Sequence, residues 1–249
     1  MTITHRLPRL YIERDLDGSD MTLDEREAHY VGHVLRLQRG ARLVVFNGRG
    51  VERQASVATL QRRGATLALA DQLAPIPEPL LALTLVQALP KSDAMDLIVQ
   101  KATELGVRTV LPVQTEFSVV RLDADRSERR LEHWRKIAQS ACEQCGRHRP
   151  PQIEQAAPLA AALESVPAGR RLALDPLAER AFAETVGSAS GGALVVAIGP
   201  EGGFGATDWR RLDAAGFDHV SLGPRVLRAE TAALAVCAIA QSRWGDLDR

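Results

Sequence analysis

Cysteine, lysine and long apolar runs are what this 249-residue sequence has least of. Its three cysteines, two as Cys142-x-x-Cys145 and one distant at Cys237, cannot build a disulfide framework and suit a reducing compartment. The close pair lacks a second cysteine pair or a spaced histidine pair, so no metal is expected and a buried helix face accounts for it. Between Met1 and Leu16 no uncharged apolar run is long enough for a signal peptide or a membrane span. A cytoplasmic protein with no membrane partner is the expectation. Only three lysines stand against 28 arginines, and none lies beyond Lys136 to serve a phosphate-binding loop or a Schiff base. Net charge is zero, which excludes a uniformly basic nucleic-acid coat.

That zero is a sum of unlike segments, since residues 126 to 149 carry seven basic and three acidic side chains. Arg126, Arg129, Arg130, Arg135 and Lys136 partly share one face of a predicted helix, with Arg147 and Arg149 following. Such a stripe is either a solvated helix face or a set of phosphate contacts. A second basic set, Arg6, Arg9, Arg36, Arg39 and Arg42, lies near the N-terminus, where basic strands can read RNA shape. His29 and His33 have metal-ligand spacing on a predicted helix but sit among polar residues without a carboxylate motif, and are read as surface or RNA-facing.

What is abundant is core: 45% of the residues are hydrophobic, enough for one large domain or for two. Three alternate prolines in Ala74-Pro-Ile-Pro-Glu-Pro79 block both helix and ladder, which places a linker at 74–79 between domains at 1–73 and 80–249. In the first, Leu43 to Phe46 and Val51 to Val57 flank the turn Asn47-Gly-Arg-Gly50 and read as a hairpin. Leu7 to Ile12 and Thr66 to Ala70 read as further strands, and Thr22-x-x-Glu25 as a capping box opening a helix to about Leu35. A small β-barrel with one helix is expected.

Beyond the linker the rhythm changes. Strands at 81–88, 107–113, 172–174, 193–198 and 219–222 alternate with helices at 93–105 and 127–145 and from about 207 and 230. This predicts an α/β domain with a parallel sheet. Gly199-Pro-Glu-Gly-Gly-Phe-Gly205 leaves an apolar strand and enters a helix, where glycines let a backbone approach a ligand closely. Its spacing does not fit a dinucleotide fingerprint. Leu222-Gly-Pro-Arg-Val-Leu-Arg-Ala-Glu-Thr231 also leaves a strand through Gly-Pro and enters a helix. Arg228 there is a surface ion-pair former or a functional cation, and Glu230 a first-turn carboxylate favoured by the helix dipole or a functional one.

Together with Arg6-Leu-Pro-Arg-Leu-Tyr11, Val34-Leu-Arg36, Ile98 to Gly106 and Ala141-Cys-Glu-Gln-Cys-Gly-Arg147, these segments resemble the RsmE family of 16S rRNA uridine N3-methyltransferases, within the SPOUT class. The resemblance runs nearly end to end. Its chief departure is Phe117, in Thr115-Glu-Phe-Ser118, where similar proteins carry arginine. The resemblance implies an α/β fold class: an N-terminal PUA-like β-barrel plus a C-terminal SPOUT domain with a deep trefoil knot, acting as a homodimer. The implied substrate is 16S rRNA in the small ribosomal subunit, at the uridine conventionally numbered 1498. The implied methyl donor is S-adenosyl-L-methionine, bound by Ile198, Gly199, Gly202, Gly203, Leu222, Gly223, Leu227 and Thr231.

Methylating uridine N3 needs its proton removed and the resulting charge on O2 and O4 stabilised. Arg228, or Arg147 of the basic segment, can supply the cation, and Glu201 or Glu230 the base; Arg228 and Glu201 are preferred. Arg6, Arg9, Arg36, Arg39 and Arg147 are the expected RNA contacts. The competing class is a noncatalytic RNA-binding or ribosome-assembly protein on the same scaffold, and donor binding discriminates the two.

Overall fold

The computed structural model describes residues 7–61, 64–91, 94–118, 124–185 and 192–248. Two compact units result: residues 1–77 with 142–150, and residues 78–141 with 151–249. Arg6 and Asp93, the latter at the expected start of a helix, lie outside the described residues.

Among the described residues the first unit holds a five-stranded sheet in the order β1-β3-β4-β5-β2. Its strands are β1 (Arg9–Tyr11), β2 (Asp20–Leu23), β3 (Arg42–Phe46), β4 (Glu52–Gln61) and β5 (Gly64–Leu73). Strand β1 runs parallel to β3; the other pairs are antiparallel. The β3–β4 hairpin closes as the Asn-Gly-Arg-Gly turn requires. Asn47 Oδ1 accepts the Arg49 and Val51 amides at 2.9 and 3.2 Å, and Gly48 and Gly50 take φ of 72° and 97°. Alternate residues Ala65, Leu67 and Leu69 of β5 point into a core with Leu43, Val45, Ala55 and Val57.

The helix start departs from the sequence expectation. Thr22 is paired with Thr66 inside β2, so it cannot cap. Asp24 caps α1 (Glu25–His29) instead: its Oδ1 accepts the Glu27 amide at 2.7 Å, and Glu27 Oε2 accepts the Asp24 amide at 3.0 Å. The chain continues through a π turn, Tyr30–Val34, and stops at Arg36, a non-glycine residue at φ 53°.

The second unit contains β6 (Leu81–Ala88), α2 (Ala94–Glu104), β7 (Thr109–Gln114), α3 (Ala124–Cys145), β8 (Gln152–Ile153), β9 (Ala157–Pro158) and α4 (Leu159–Glu164). It continues with β10 (Arg170–Leu174), α5 (Phe182–Thr185), β11 (Gly192–Ile198), α6 (Ala206–Ala214), β12 (Asp218–Val220) and α7 (Ala229–Trp244). The last turn of α3 belongs to the first unit, a division that helical periodicity, unbroken from 127 to 145, does not signal.

All strand pairs of the second unit are parallel, in the order β12-β10-β11-β6-β7-β8, with β9 also on β7. Both faces are covered, which is why the central strands read as continuous apolar runs. Leu83, Leu85, Leu194 and Val196 face α2 and α7; Val86, Ala88, Val195 and Ala197 face a second core holding Leu159 of α4 and Leu212 of α6. Helix α2 ends at Gly106 (φ 75°), where an added Cβ would come within 2.7 Å of Pro79 and 2.9 Å of Gln241 Nε2. The strands missed by sequence reading, β2, β8 and β9, are four residues or fewer, too short for a period to register.

Candidate active site

Because β10, β11 and β12 are parallel neighbours, their carboxyl ends deliver three loops to one edge of the sheet, where open α/β sheets bind ligands. The loop after β11 is folded tightly on itself. The Gly203 amide donates to Pro200 O at 2.8 Å, Gly203 sits at φ 72°, and a Cβ on Gly199 would lie 3.1 Å from the Gly203 carbonyl carbon. Its far end is clamped: buried Asp208 Oδ2 accepts the amides of Gly205 (3.1 Å) and Glu116 (2.9 Å), and Glu116 Oε2 accepts the Thr207 amide at 3.1 Å. The Glu116 carboxylate lies so close over Gly205 that an added Cβ would approach its Cβ to 2.8 Å. Phe117, half exposed, covers Gly202, with 3.4 Å from its Cβ to a Cβ added there.

The loop after β12 turns at Gly223 (φ 88°) and enters α7 with Arg228 as an extended N-cap. A third loop, after β10, is a tight turn at Asp175-Pro176. The Asp175 amide donates to Val220 O at 2.9 Å, and Asp175 Oδ1 accepts the Leu177 amide at 2.9 Å. The three loops enclose a cleft open to solvent, a concave site at the strand ends of the kind that takes small organic ligands. Leu174, Val220 and Leu222 give it apolar walls, and Ala229 and Ala232 of α7 also line it. Among the described residues Asp175, Glu201 and Arg225 are its charged lining, an excess of carboxylates that favours a cationic ligand over a phosphorylated one.

Of the residues expected to bind a donor, Ile198, Gly199, Gly203, Leu222, Gly223 and Leu227 line this cleft; Gly202 lies under Phe117, and Thr231, exposed in the first turn of α7, does not line it. Glu201 lines it too, and its carboxylate accepts the Lys91 amide at 3.0 and 3.3 Å. Arg228 is exposed at the head of α7 outside the lining, whereas Arg225, three residues earlier, is inside it. Sequence reading missed Arg225 and the whole Asp175 wall. An Asp-Pro turn directly after a strand was the available signal.

The basic residues of the first unit divide. Arg9, expected on RNA, is turned inward: its guanidinium pairs with buried Glu52, donates to Arg147 O at 3.2 Å and lies 4.6 Å over the Phe46 ring. Only 11% of its side chain is exposed, and its two terminal nitrogens have internal partners. Arg36 and Arg39 are exposed and Arg147 is half-buried. Glu143 accepts the Tyr11 amide (2.9 Å) and the Tyr30 hydroxyl (2.8 Å); burial raises its pKa, against the lowering effect of those bonds. His29 and His33 stack with ring centroids 4.5 Å apart. Cys142 and Cys237 are buried, and burial pushes the Cys237 thiol up to about 12, making it inert. No group of three or more metal-binding side chains occurs among the described residues, and among them no helix is long and apolar enough to cross a membrane.

Residues 77–241 match the RNA methyltransferase domain family and residues 23–69 the RNA methyltransferase PUA domain. The ribosomal RNA small subunit methyltransferase E of Mycobacterium bovis is 33% identical over 91% of this chain and 89% of its own. That of Bacillus subtilis is 29% identical over 88% of each. The Neisseria gonorrhoeae enzyme of the same name, crystallised with S-adenosylmethionine, superposes with a TM-score of 0.88 at 32% identity, covering 97% of this chain and all of its own. A Legionella pneumophila methyltransferase structure with bound S-adenosylmethionine gives 0.91 at 32% identity and the same coverage.

Proposed function

We propose a function that starts from family membership: the chain belongs to the ribosomal RNA small subunit methyltransferase E family, is a methyltransferase, and methylates N3 of a uridine in 16S rRNA, taking the methyl from S-adenosylmethionine. The observation that carries the reading is the cleft at the ends of β10, β11 and β12. Its apolar walls suit adenine, its folded glycine loop offers backbone groups at close range, and its excess of carboxylates suits a sulfonium cation. When bound, S-adenosylmethionine supplies an electrophilic methyl carbon and departs as the neutral thioether.

The chain's own residues do the rest. Glu201, held at the cleft by the Lys91 amide, accepts the N3 proton, so that the N3 lone pair forms the new bond. Arg228 at the rim donates to a uracil oxygen and stabilises the charge left by deprotonation. A positioned base and a positioned cation each contribute on the order of 10² to 10³ in rate. Exposed Arg36 and Arg39 in the first unit, with Arg147, contact the RNA backbone. On this reading residues 1–73 form an RNA-binding PUA-like barrel, 74–79 a linker and 80–249 the methyltransferase domain. Its chain is tied in a deep trefoil knot, and the enzyme works as a cytoplasmic homodimer on the small ribosomal subunit. The return of the chain from the edge strand β12 to α7, which packs against α2 and β6 at the sheet centre, supports the knot.

The test is calorimetric titration of S-adenosylmethionine, with methyl transfer to small subunits from a strain lacking this activity. Binding and transfer to a uridine are expected. Loss of transfer in Glu201→Gln and Arg228→Ala with donor affinity kept would support the assigned roles; unaltered transfer would remove them. A protein that binds RNA but no donor would overturn the reading in favour of a noncatalytic assembly factor.

A further inference from the structure

We infer that Asp175 binds the donor and that His219 is the positioning residue that holds the Asp175 carboxylate in the cleft wall; this rests on the S-adenosylmethionine reading above.

Asp175 lines the cleft from the β10 side. Its Oδ1 accepts the Leu177 amide at 2.9 Å, and its Oδ2 lies 3.1 Å from His219 Nδ1. A carboxylate has about four acceptor sites, so this one keeps capacity for a ligand, and a fifth of its side chain is exposed. The other lining carboxylate, Glu201, accepts one amide, from Lys91, and is assigned above to the N3 proton. Asp175 is the lining carboxylate left for a hydroxyl or ammonium N–H of the donor.

His219, on β12, reaches two carboxylates at once. Nδ1 faces Asp175, and Nε2 lies 2.8 Å from Asp213 Oδ1 of α6. Both contacts are hydrogen bonds only when both ring nitrogens carry protons, which is the imidazolium form. The ring also stacks on Trp209, 4.3 Å between centroids and 24° apart, and Trp209 packs edge-on against Phe204 at 5.0 Å. Phe204 belongs to the glycine loop, whose Gly199 and Gly203 line the cleft. One imidazolium thus ties the carboxylate wall to the glycine-loop wall.

The charged groups facing the ring are Asp175, from the end of β10, and Asp213, from α6. Its strand neighbour Asp218 is paired with Arg170 of β10 at 2.8 Å. Burial alone would lower the His219 pKa, but the hydrogen bonds and charges of Asp213 and Asp175 outweigh it and raise the net value. Below that raised value the ring donates to both carboxylates. Above it, the neutral ring donates to one, and Asp175 is released in part of the molecules. Donor affinity contributed by Asp175 is therefore present at low pH and lost as pH rises through the His219 pKa.

Asparagine and glutamine separate the two ring contacts. Asparagine places its amide near Nδ1 and can donate to Asp175; glutamine places its amide near Nε2 and can donate only to Asp213. S-adenosylmethionine is titrated calorimetrically into the full-length wild type, His219→Asn, His219→Gln and Asp175→Asn across the pH range around neutrality, with thermal denaturation as the folding control. His219→Gln and Asp175→Asn are expected to weaken binding about tenfold or more, as loss of a charge-assisted hydrogen bond does, with the effect on the donor KM exceeding that on kcat. His219→Asn is expected to keep near wild-type affinity at low pH and to lose the alkaline decline. A purely structural His219 would lower thermal stability equally in Asn and Gln variants and leave the pH profile of binding unchanged; that result, or wild-type affinity in Asp175→Asn, overturns the inference. Repeating the titration with 5′-methylthioadenosine, which keeps the ribose and lacks the ammonium, tells a hydroxyl partner from an ammonium partner. Absence of donor binding by the wild type would instead refute the methyltransferase reading itself.

Discussion

Replacing Gly205 by alanine tests how the glycine loop is held. The backbone there is extended, at φ −77° and ψ 170°, which any residue adopts, so the cost is one of space alone. The new methyl would sit 2.5 Å from Glu116 Cδ and 2.8 Å from its Cβ, well inside van der Waals contact. The side chain must leave, and with it goes the hydrogen bond from the Thr207 amide to Glu116 Oε2 at 3.1 Å. Loss of a cap costs about 1 kcal/mol, and overpacking against a nearby Cβ adds about 1–3 kcal/mol. The expected destabilisation is roughly 2–4 kcal/mol, or about 4–16 °C in Tm for a chain of this size. Thermal denaturation followed by circular dichroism reads it directly. The diagnostic arm is a double-mutant cycle with Glu116→Gly, which removes the carboxylate and the Cβ that obstruct the new methyl: the double variant should be about as stable as Glu116→Gly alone. A Gly205→Ala protein as stable as wild type, or additive losses in the double variant, would refute the clamp.

Three other outcomes follow from the same geometry. Gly203→Asp forces a side chain into φ 72° and fills space in the cleft where the donor would approach the backbone; titration should detect no S-adenosylmethionine binding, while the strain of about 1 kcal/mol moves Tm by only a few degrees. Arg9→Ala leaves buried Glu52 without its ion-pair partner and should cost about 3–5 kcal/mol in urea unfolding, whereas Arg39→Ala, at an exposed position, should leave stability unchanged and weaken RNA binding. The raised His219 pKa contributes stability that is fully present below its unfolded value of about 6.5 and lost as pH rises through the folded value. The urea midpoint should fall over that interval in wild type and less in His219→Asn.

The parts legible in the sequence are those with a period or a breaker. The apolar runs at 81–88 and 193–198 mark central strands because burial on both faces leaves no polar side, and Gly-Pro after a strand marks each of the two loops that line the cleft. The helix cap was misplaced for a local reason: the Thr22-x-x-Glu25 pattern lies two residues ahead of the Asp24-x-x-Glu27 box that forms, and the pairing of Thr22 with Thr66 draws Thr22 into β2. Arg9 looked like surface because its partner Glu52 reaches it through two ladder steps, β1 on β3 and β3 on β4. Asp175 and His219 stand 44 residues apart and meet because β10 and β12 are neighbours, an adjacency that no composition or spacing encodes. The return of Cys142–Pro150 to the first unit was hidden inside a continuous helix for the same reason.

The most direct test of the account is mass mapping of 16S rRNA after small ribosomal subunits from a strain lacking this enzyme are incubated with the purified protein and S-adenosylmethionine. One added methyl is predicted, on N3 of a single uridine, with Glu201→Gln strongly impaired. Methylation of a different nucleotide or position, or none at all from a protein that binds both donor and subunit, would contradict it.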